Sequence, residues 1–288
     1  IQNTNKGIYC QYSITSTITN NTIINNSVGL ELYGSLTNYP NPTIYHNSIY
    51  DNTSFNLTAS SSNNCSSLTI NARNNWWGTI DPVVISQKIY DYNDNNSYPV
   101  VDFTHFLDGP NGNPAPGNIV SGPINQTTTW TFTNSHYIVV GNVTVNPGVT
   151  LTIQPGVQVK FAANYSLTIN GSLVASGTPT QQITFTSNRQ TPARADWQYI
   201  NFTDTSDDAT SIISYAVVEY ANYGIYTINA SPRIEHNTLQ NNNRGVYCEY
   251  SSSSTITNNT IINNNYGIYL YSSLTNYPNP TIYHNSIY

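Results

Sequence analysis

Residues 1–50 align without a gap on residues 239–288 with 38 identities in 50, and Asn41 to Tyr50 returns unchanged as Asn279 to Tyr288. This offset of 238 residues constrains the fold more than any other feature, because two nearly identical stretches must adopt the same local structure. The chain reads as one tandem period plus an overlap, a window on a longer array. A shorter period is nested inside it. Ile212, Ile234 and Ile256 are spaced by 22, Val217, Leu239 and Ile261 keep that spacing, and Gly224, Gly245 and Gly267 recur at 21 and 22. The consensus is Ile-x-x-Asn-x-Ile, then Asn-Asn, then Gly-Ile-Tyr. Where Tyr39-Pro40 or Tyr277-Pro278 intervenes, the step grows to 26.

The runs inside each unit, such as Thr255-Ile256-Thr257 and Gly267-Ile268-Tyr269-Leu270-Tyr271, alternate with period 2 and are separated by Asn, Gly and Ser. Period 2 predicts short strands. A unit of about 22 residues holds three of them with three corners, and coiling it in register stacks equivalent residues at the ~4.8 Å strand spacing. The expected fold is therefore an all-β parallel β-helix (solenoid) with Ile and Val inside. Asn21, Asn47, Asn237, Asn259 and Asn285 recur at one corner, where the side chain can bond the backbone of the next rung and tolerate a left-handed conformation.

Asn-Asn-Thr-Ile-Ile-Asn-Asn before Gly-Ile-Tyr resembles the right-handed parallel β-helix repeat of secreted microbial surface proteins. So do Asn74-Asn75-Trp76-Trp77-Gly78-Thr79 with Asp81-Pro82, and Asn142 to Val157 followed by Leu167-Thr168-Ile169-Asn170-Gly171. The resemblance covers nearly the whole chain. It implies a right-handed solenoid and leaves function open, since that family mixes surface proteins, adhesins and carbohydrate-active enzymes.

Module boundaries follow from punctuation. Residues 109–118 are dense in Pro and Gly, lack apolar periodicity and read as a linker. Residues 1–108 are then the end of one module and 119–288 the start of the next. The first should close with a Trp-rich cap: Trp76 and Trp77 over the last rung, and one short helix begun by Asp81 as N-cap and Pro82 at its first position. Ile85 and Ile89 would share one face of that helix, which would end near Tyr92. Val100 to Phe106 would follow as a closing strand.

Only 8% of the residues are charged, the net charge is −6, and there are 44 Asn and 24 Tyr. A nucleic-acid partner bound through phosphates needs clustered Lys and Arg and is excluded. No apolar run reaches the ~18 residues of a membrane span. An uncharged chain rich in amides and hydroxyls suits an exterior location. Sequons at Asn20, Asn52, Asn56, Asn125, Asn142, Asn164, Asn201, Asn229 and Asn258 mark glycosylation candidates, although composition alone generates about ten such triplets.

Candidate chemistry is sparse. Asp207-Asp208 is an acidic doublet, but neither the Gly-His-Gly nor the Arg-Ile-Lys of a galacturonase-like hydrolase follows it, so it reads as a surface loop. Arg233 and Arg244, near Glu235 and Glu249, are the base and carboxylate types a pectate-lyase-like site would use, but surface ion pairs are expected instead. Asp91, Asn93, Asp94 and Asn96 alternate oxygen ligands as a Ca²⁺ loop does, but no Gly holds the sixth place and no Glu closes the loop, so a post-helix turn is expected. His46, His236 and His284 are stacked repeat equivalents rather than metal ligands. Cys10 and Cys248 share a column with Leu32 and Leu270 and are expected as buried thiols. A Cys10–Cys65 disulfide would have to cross two rungs, about 10 Å, unless a loop folds back.

The Tyr residues are the remaining feature. Tyr9, Tyr247 and Tyr269 fall two positions after the repeat Gly, with Tyr33, Tyr250 and Tyr271 nearby. With Ile8, Val246 and Ile268 pointing inward, they predict an exposed aromatic ladder. It can serve the sheet itself through cross-rung stacking, or serve as a contact surface for neighbouring chains or sugar rings. The resulting expectation is a non-catalytic structural repeat protein of an extracellular filament, sheath or cell-surface stalk, with copies of itself as partners and surface glycans as a further partner class. No cofactor is expected. A glycan-binding adhesin or a polysaccharide-active enzyme is the alternative.

Overall fold

The computed structural model describes residues 1–12, 15–115, 118–273 and 275–288. The chain forms two compact units, Ile1–Gly122 and Pro123–Tyr288. Both are parallel β-solenoids, and the turns recur about every 24 residues. That spacing exceeds 22 because some rungs carry long loops, as between the paired residues Val174 and Ile212.

In the second unit each turn presents three strands to three faces. One face stacks Thr128–Trp130, Thr150–Ile153, Ser172–Ser176, Ile212–Ser214, Arg233–Glu235, Thr255–Thr257 and Thr281–Tyr283. Strand Tyr137–Val145 is long enough to open the other two. Its first half starts the stack Gln158–Phe161, Ile183–Ser187, Ala216–Glu219, Thr238–Gln240, Thr260–Ile262 and Ser286–Ile287. Its second half starts Leu167–Ile169, Trp197–Phe202, Ala221–Ile228, Arg244–Glu249 and Tyr266–Tyr271. The register puts like on like: Ile213, Ile234 and Ile256 in one column, Val218, Leu239 and Ile261 in another, Ile225 and Val246 in a third. All eight are 0% exposed. Each such side chain contributes roughly 1.5–3 kcal/mol by leaving water, so the pattern read from the sequence is also the main source of cohesion.

The corners are held by buried amides. Asn237 Oδ1 accepts from Ala216 N at 2.9 Å while its Nδ2 donates to Ile213 O at 2.9 Å. Asn259 repeats this one turn on, accepting from Asn237 N and donating to Ile234 O, and Asn285 follows. In the first unit Asn21, Asn47 and Asn75 form the same ladder. A second amide ladder, which the corner pattern did not single out, runs through Asn26, Asn52 and Asn56 and, in the other unit, through Asn242 and Asn264. Asn52, Asn56 and Asn201 are buried at 1%, 4% and 7% exposure. This corrects their reading as glycosylation candidates, because an amide enclosed in the fold cannot carry a glycan. Asn20, Asn125, Asn142, Asn164 and Asn258 are exposed and Asn229 is half-buried.

In the first unit Lys6–Gln11, Val28–Gly34, Phe55–Ser61 and Ile89–Tyr90 stack in one sheet. The helix Pro82–Ser86 has Asp81 as N-cap, its side chain accepting from Val83 N at 2.9 Å. The helix is shorter than expected. It stops at Ser86, and Ile89 lies on a strand paired with Leu57 rather than on the helix face beside Ile85. A strand end that finds a parallel partner outcompetes another helical turn with few good helix formers. Trp77 is buried at 2% exposure, and Trp76 bridges to Ser48. The closing strand is confined to Val100–Asp102, paired with Thr69–Asn71.

The expected linker is folded over its described part. Leu107 and Pro114 form an antiparallel bridge, Ala115 N donates to Phe106 O, and the two units divide at Gly122. Residues 116–117 of that segment lie outside the described residues. Among the described residues no helix is long and apolar enough to cross a membrane.

Candidate functional site

The third face of the second unit gathers the chemistry. Its strands carry the sequences Tyr223-Gly224-Ile225-Tyr226, Arg244-Gly245-Val246-Tyr247 and Tyr266-Gly267-Ile268-Tyr269. A register shift after Tyr199 admits the glycine as an extra residue. The residues on either side of Gly-Ile or Gly-Val then both face outward. The glycine is required by close approach: a Cβ on Gly224 would sit 2.6 Å from Gly245 O, and one on Gly245 would sit 2.6 Å from Gly267 O. Two outward columns result. Tyr199, Tyr223, Arg244 and Tyr266 are in register in one, and Tyr226, Tyr247 and Tyr269 in the other, which continues from the covered Asn201.

Within this array Tyr226 and Tyr247 stack at 4.8 Å between centroids, and Tyr247 meets Tyr269 edge-on at 5.2 Å. The guanidinium of Arg244 lies 4.7 Å from the Tyr223 centroid, 4.8 Å from Tyr269, 5.3 Å from Tyr247 and 5.4 Å from Tyr266. A cation over a ring face gains about 0.5–1 kcal/mol at an exposed site, so four rings hold this side chain firmly. The expected pairing of Arg244 with Glu249 and of Arg233 with Glu235 is corrected. Among the described residues the ion pairs are Lys6–Glu31, Arg73–Asp102 and Arg189–Asp196. Glu249 instead accepts from the Tyr226 hydroxyl. Residues 244 and 249 stand at opposite ends of one strand, too far apart to meet. Burial, together with that bond to Glu249, raises the Tyr226 phenol, and burial with the Glu249 charge pushes Tyr247 up to about 12.

An amide row runs beside the rings. Asn243 Nδ2 donates to Asn222 Oδ1 at 2.9 Å, Asn265 Nδ2 donates to Asn243 Oδ1 at 2.9 Å, and Arg194 Nη1 reaches Asn265 Oδ1 at 2.7 Å. Of the six tyrosines named from sequence, Tyr247 and Tyr269 belong to the cluster. Tyr250 and Tyr271 meet edge-on nearby at 6.3 Å. Tyr9 and Tyr33 lie in the first unit, Tyr9 under Lys6 at 4.2 Å and Tyr33 against Tyr12. The sequence reading did not name Tyr199, Tyr223, Tyr226 or Tyr266, and it gave Arg244 an acidic partner instead of an aromatic one. For Tyr223, Arg244 and Tyr266 the signal was available, since each precedes a repeat glycine.

The other candidates resolve as structure. The Asp207 carboxylate accepts from Thr210 Oγ1 and Ala209 N, and Asp208 accepts from Ser231 N at 2.7 Å. Asp91, 2% exposed, accepts from Asn93 N, Asn93 Nδ2 and Val101 N, while Asp94 accepts from Asp91 N. Oxygens turned to N–H donors in this way do not surround a Ca²⁺ ion. His46, His236 and His284 occupy left-handed corners at φ 54°, 58° and 55°. Cys10, Cys65 and Cys248 are free and buried, and Cys10 lies in register with Leu32 as Cys248 does with Leu270.

Stacked three-strand turns, buried amide ladders at the corners and an aromatic outer face define a parallel β-helix repeat protein. Residues 107–288 match the family model described as periplasmic copper-binding protein (NosD), and the chain belongs to that family. Over 154 residues it is also 31% identical to the Protein bark beetle of Drosophila melanogaster, a match covering 48% of this chain and 5% of that protein. No solved structure matches. The family's description raises the question of copper. The chain has no Met, and among the described residues no three His, Cys, Asp or Glu side chains come together. Burial pushes the Cys248 thiol up to about 11 and raises Cys10, which favours the protonated thiol over the thiolate a metal requires.

Proposed function

We propose that this chain is a non-catalytic structural repeat protein, part of an extracellular filament, sheath or cell-surface stalk built from β-helix modules. The observation that carries the reading is the 238-residue offset with 38 identities in 50. Repetition at that fidelity extends length and lateral contact, whereas copying an active site gains an enzyme little. Two features support it. The amide ladders stiffen each unit along its axis through bonds that repeat on every turn. The acidic doublet serves the backbone around it: Asp207 accepts from Thr210 and Ala209 in its own loop, and Asp208 accepts from Ser231 N one turn on. An exported location accords with a family described as periplasmic.

Electron microscopy of the native cell-surface material tests the reading. Filaments with an axial repeat of one or two modules are expected, and isolated compact particles overturn it. A glycan-binding adhesin is the second reading, favoured by the ring cluster around Arg244.

A further inference from the structure

The two nearly identical 50-residue segments differ at only 12 positions. Three of these, Ile1/Leu239, Ile8/Val246 and Leu30/Ile268, exchange one aliphatic side chain for another. Others fall together on the aromatic face. Lys6, Ser27, Val28 and Glu31 of the first unit are replaced by Arg244, Asn265, Tyr266 and Tyr269 in the second. The effect is specific. In the first unit Lys6 is neutralised by Glu31 at 2.7 Å. In the second the acid has become a ring and the lysine a guanidinium, so the cation keeps its aromatic support and loses its counter-ion. Among the described residues Arg244 forms no ion pair and donates no side-chain hydrogen bond, and its Nε is covered without an acceptor. Tyr266 at its side is 51% exposed.

We propose that this face binds an acidic polysaccharide lying along the solenoid axis. Arg244 would take a sugar carboxylate in the pairing that planar guanidinium favours. Tyr266 and Tyr269 would pack on sugar rings, and the amide row at Asn243 and Asn265 would meet hydroxyls. Charge complementarity selects the acidic class: an unneutralised cation in a ring cage gains most from a carboxylate. The carboxylate of Glu249, held by Tyr226 at the far edge of the cluster, would confine the ligand's charge to the Arg244 end. This inference rests on the glycan-binding reading and stands apart from assembly, since a single copy presents the whole face.

The test is affinity electrophoresis of the full chain in gels containing polygalacturonate or, as the neutral comparison, dextran. Retardation is expected with polygalacturonate, weakening as salt rises. The triple variant R244K/Y266V/Y269E installs the side chains that Lys6, Val28 and Glu31 already carry in the first unit, so the backbone is known to accept them. It should lose at least tenfold in affinity. The reverse variant K6R/V28Y/E31Y should add a second binding site. Should the triple variant misfold by circular dichroism, Arg244→Gln alone serves, with the same loss expected. Equal retardation in dextran, no retardation of the native chain, or an Arg244 variant that binds polygalacturonate as the native chain does would each overturn the proposal.

Discussion

Replacing Asn237 with Ala tests whether the buried amides hold the solenoid together. Asn237 is 2% exposed. Its side chain satisfies Ala216 N and Ile213 O, each at 2.9 Å and each in a buried environment. Truncation leaves one donor and one acceptor unpaired in the interior, at about 1–3 kcal/mol for each orphaned group. The expected loss is therefore about 2–6 kcal/mol. Asp is expected to be as damaging as Ala or worse, because it keeps the acceptor for Ala216 N but turns a second oxygen, and a charge, toward Ile213 O. The control is Asn265→Ser on the exposed amide row, a change to the residue that the equivalent Ser27 carries, which should cost under about 0.5 kcal/mol. Repeat solenoids unfold by neighbouring units rather than all at once. The assay is therefore a urea titration by circular dichroism joined to amide exchange at Ala216 and its neighbours. Faster exchange at Ala216 is expected in N237A and unchanged exchange in N265S. Equal midpoints for the two variants would refute the view that burial, rather than the mere presence of an amide, makes the corner ladder structural.

Other consequences can be checked independently. Gly245→Ala drives a Cβ to 2.6 Å from a backbone carbonyl that cannot move without shifting the next turn, so a loss of about 1–3 kcal/mol is expected in the same urea titration. Burial raises Asp91 from 3.8 to about 6 despite three N–H donors. The folded state thus holds a proton that the unfolded state releases, and stability should fall as pH rises from about 4 to 6. Melting curves across that window should show the slope, and Asp91→Asn should flatten it. The three thiols are buried and Cys248 is pushed up to about 11. A thiol reagent at pH 8 should therefore leave Cys248 unmodified in the native protein and react with all three after denaturation. Fast labelling of native Cys248 would contradict its burial.

Much of this architecture was legible in the sequence. Ile234, Ile256, Leu239 and Ile261 could be assigned to the interior because a solenoid has one repeating period and a strand has only two faces. The corner asparagines were legible for the same reason, as they recur where the chain must turn. The sequence did not reveal the second amide ladder through Asn52 and Asn242, because it lies in a stretch crowded with asparagines of no distinguishing pattern. It also did not reveal Arg244. Read alone, an arginine five residues from a glutamate suggests an ion pair. Only the register, which sets Arg244 between Tyr223 and Tyr266 and beside Tyr247 and Tyr269, turns it toward rings instead.

The sequence by itself determined the repeat, the parallel stacking and the identity of the core, since these follow from periodicity that every turn reinforces. Tertiary structure decided which polar groups are enclosed, where the capping helix stops and which cation is caged by rings. Those depend on neighbours one full turn away, some 21 to 26 residues along the chain, and local pattern carries no information about what lies above or below.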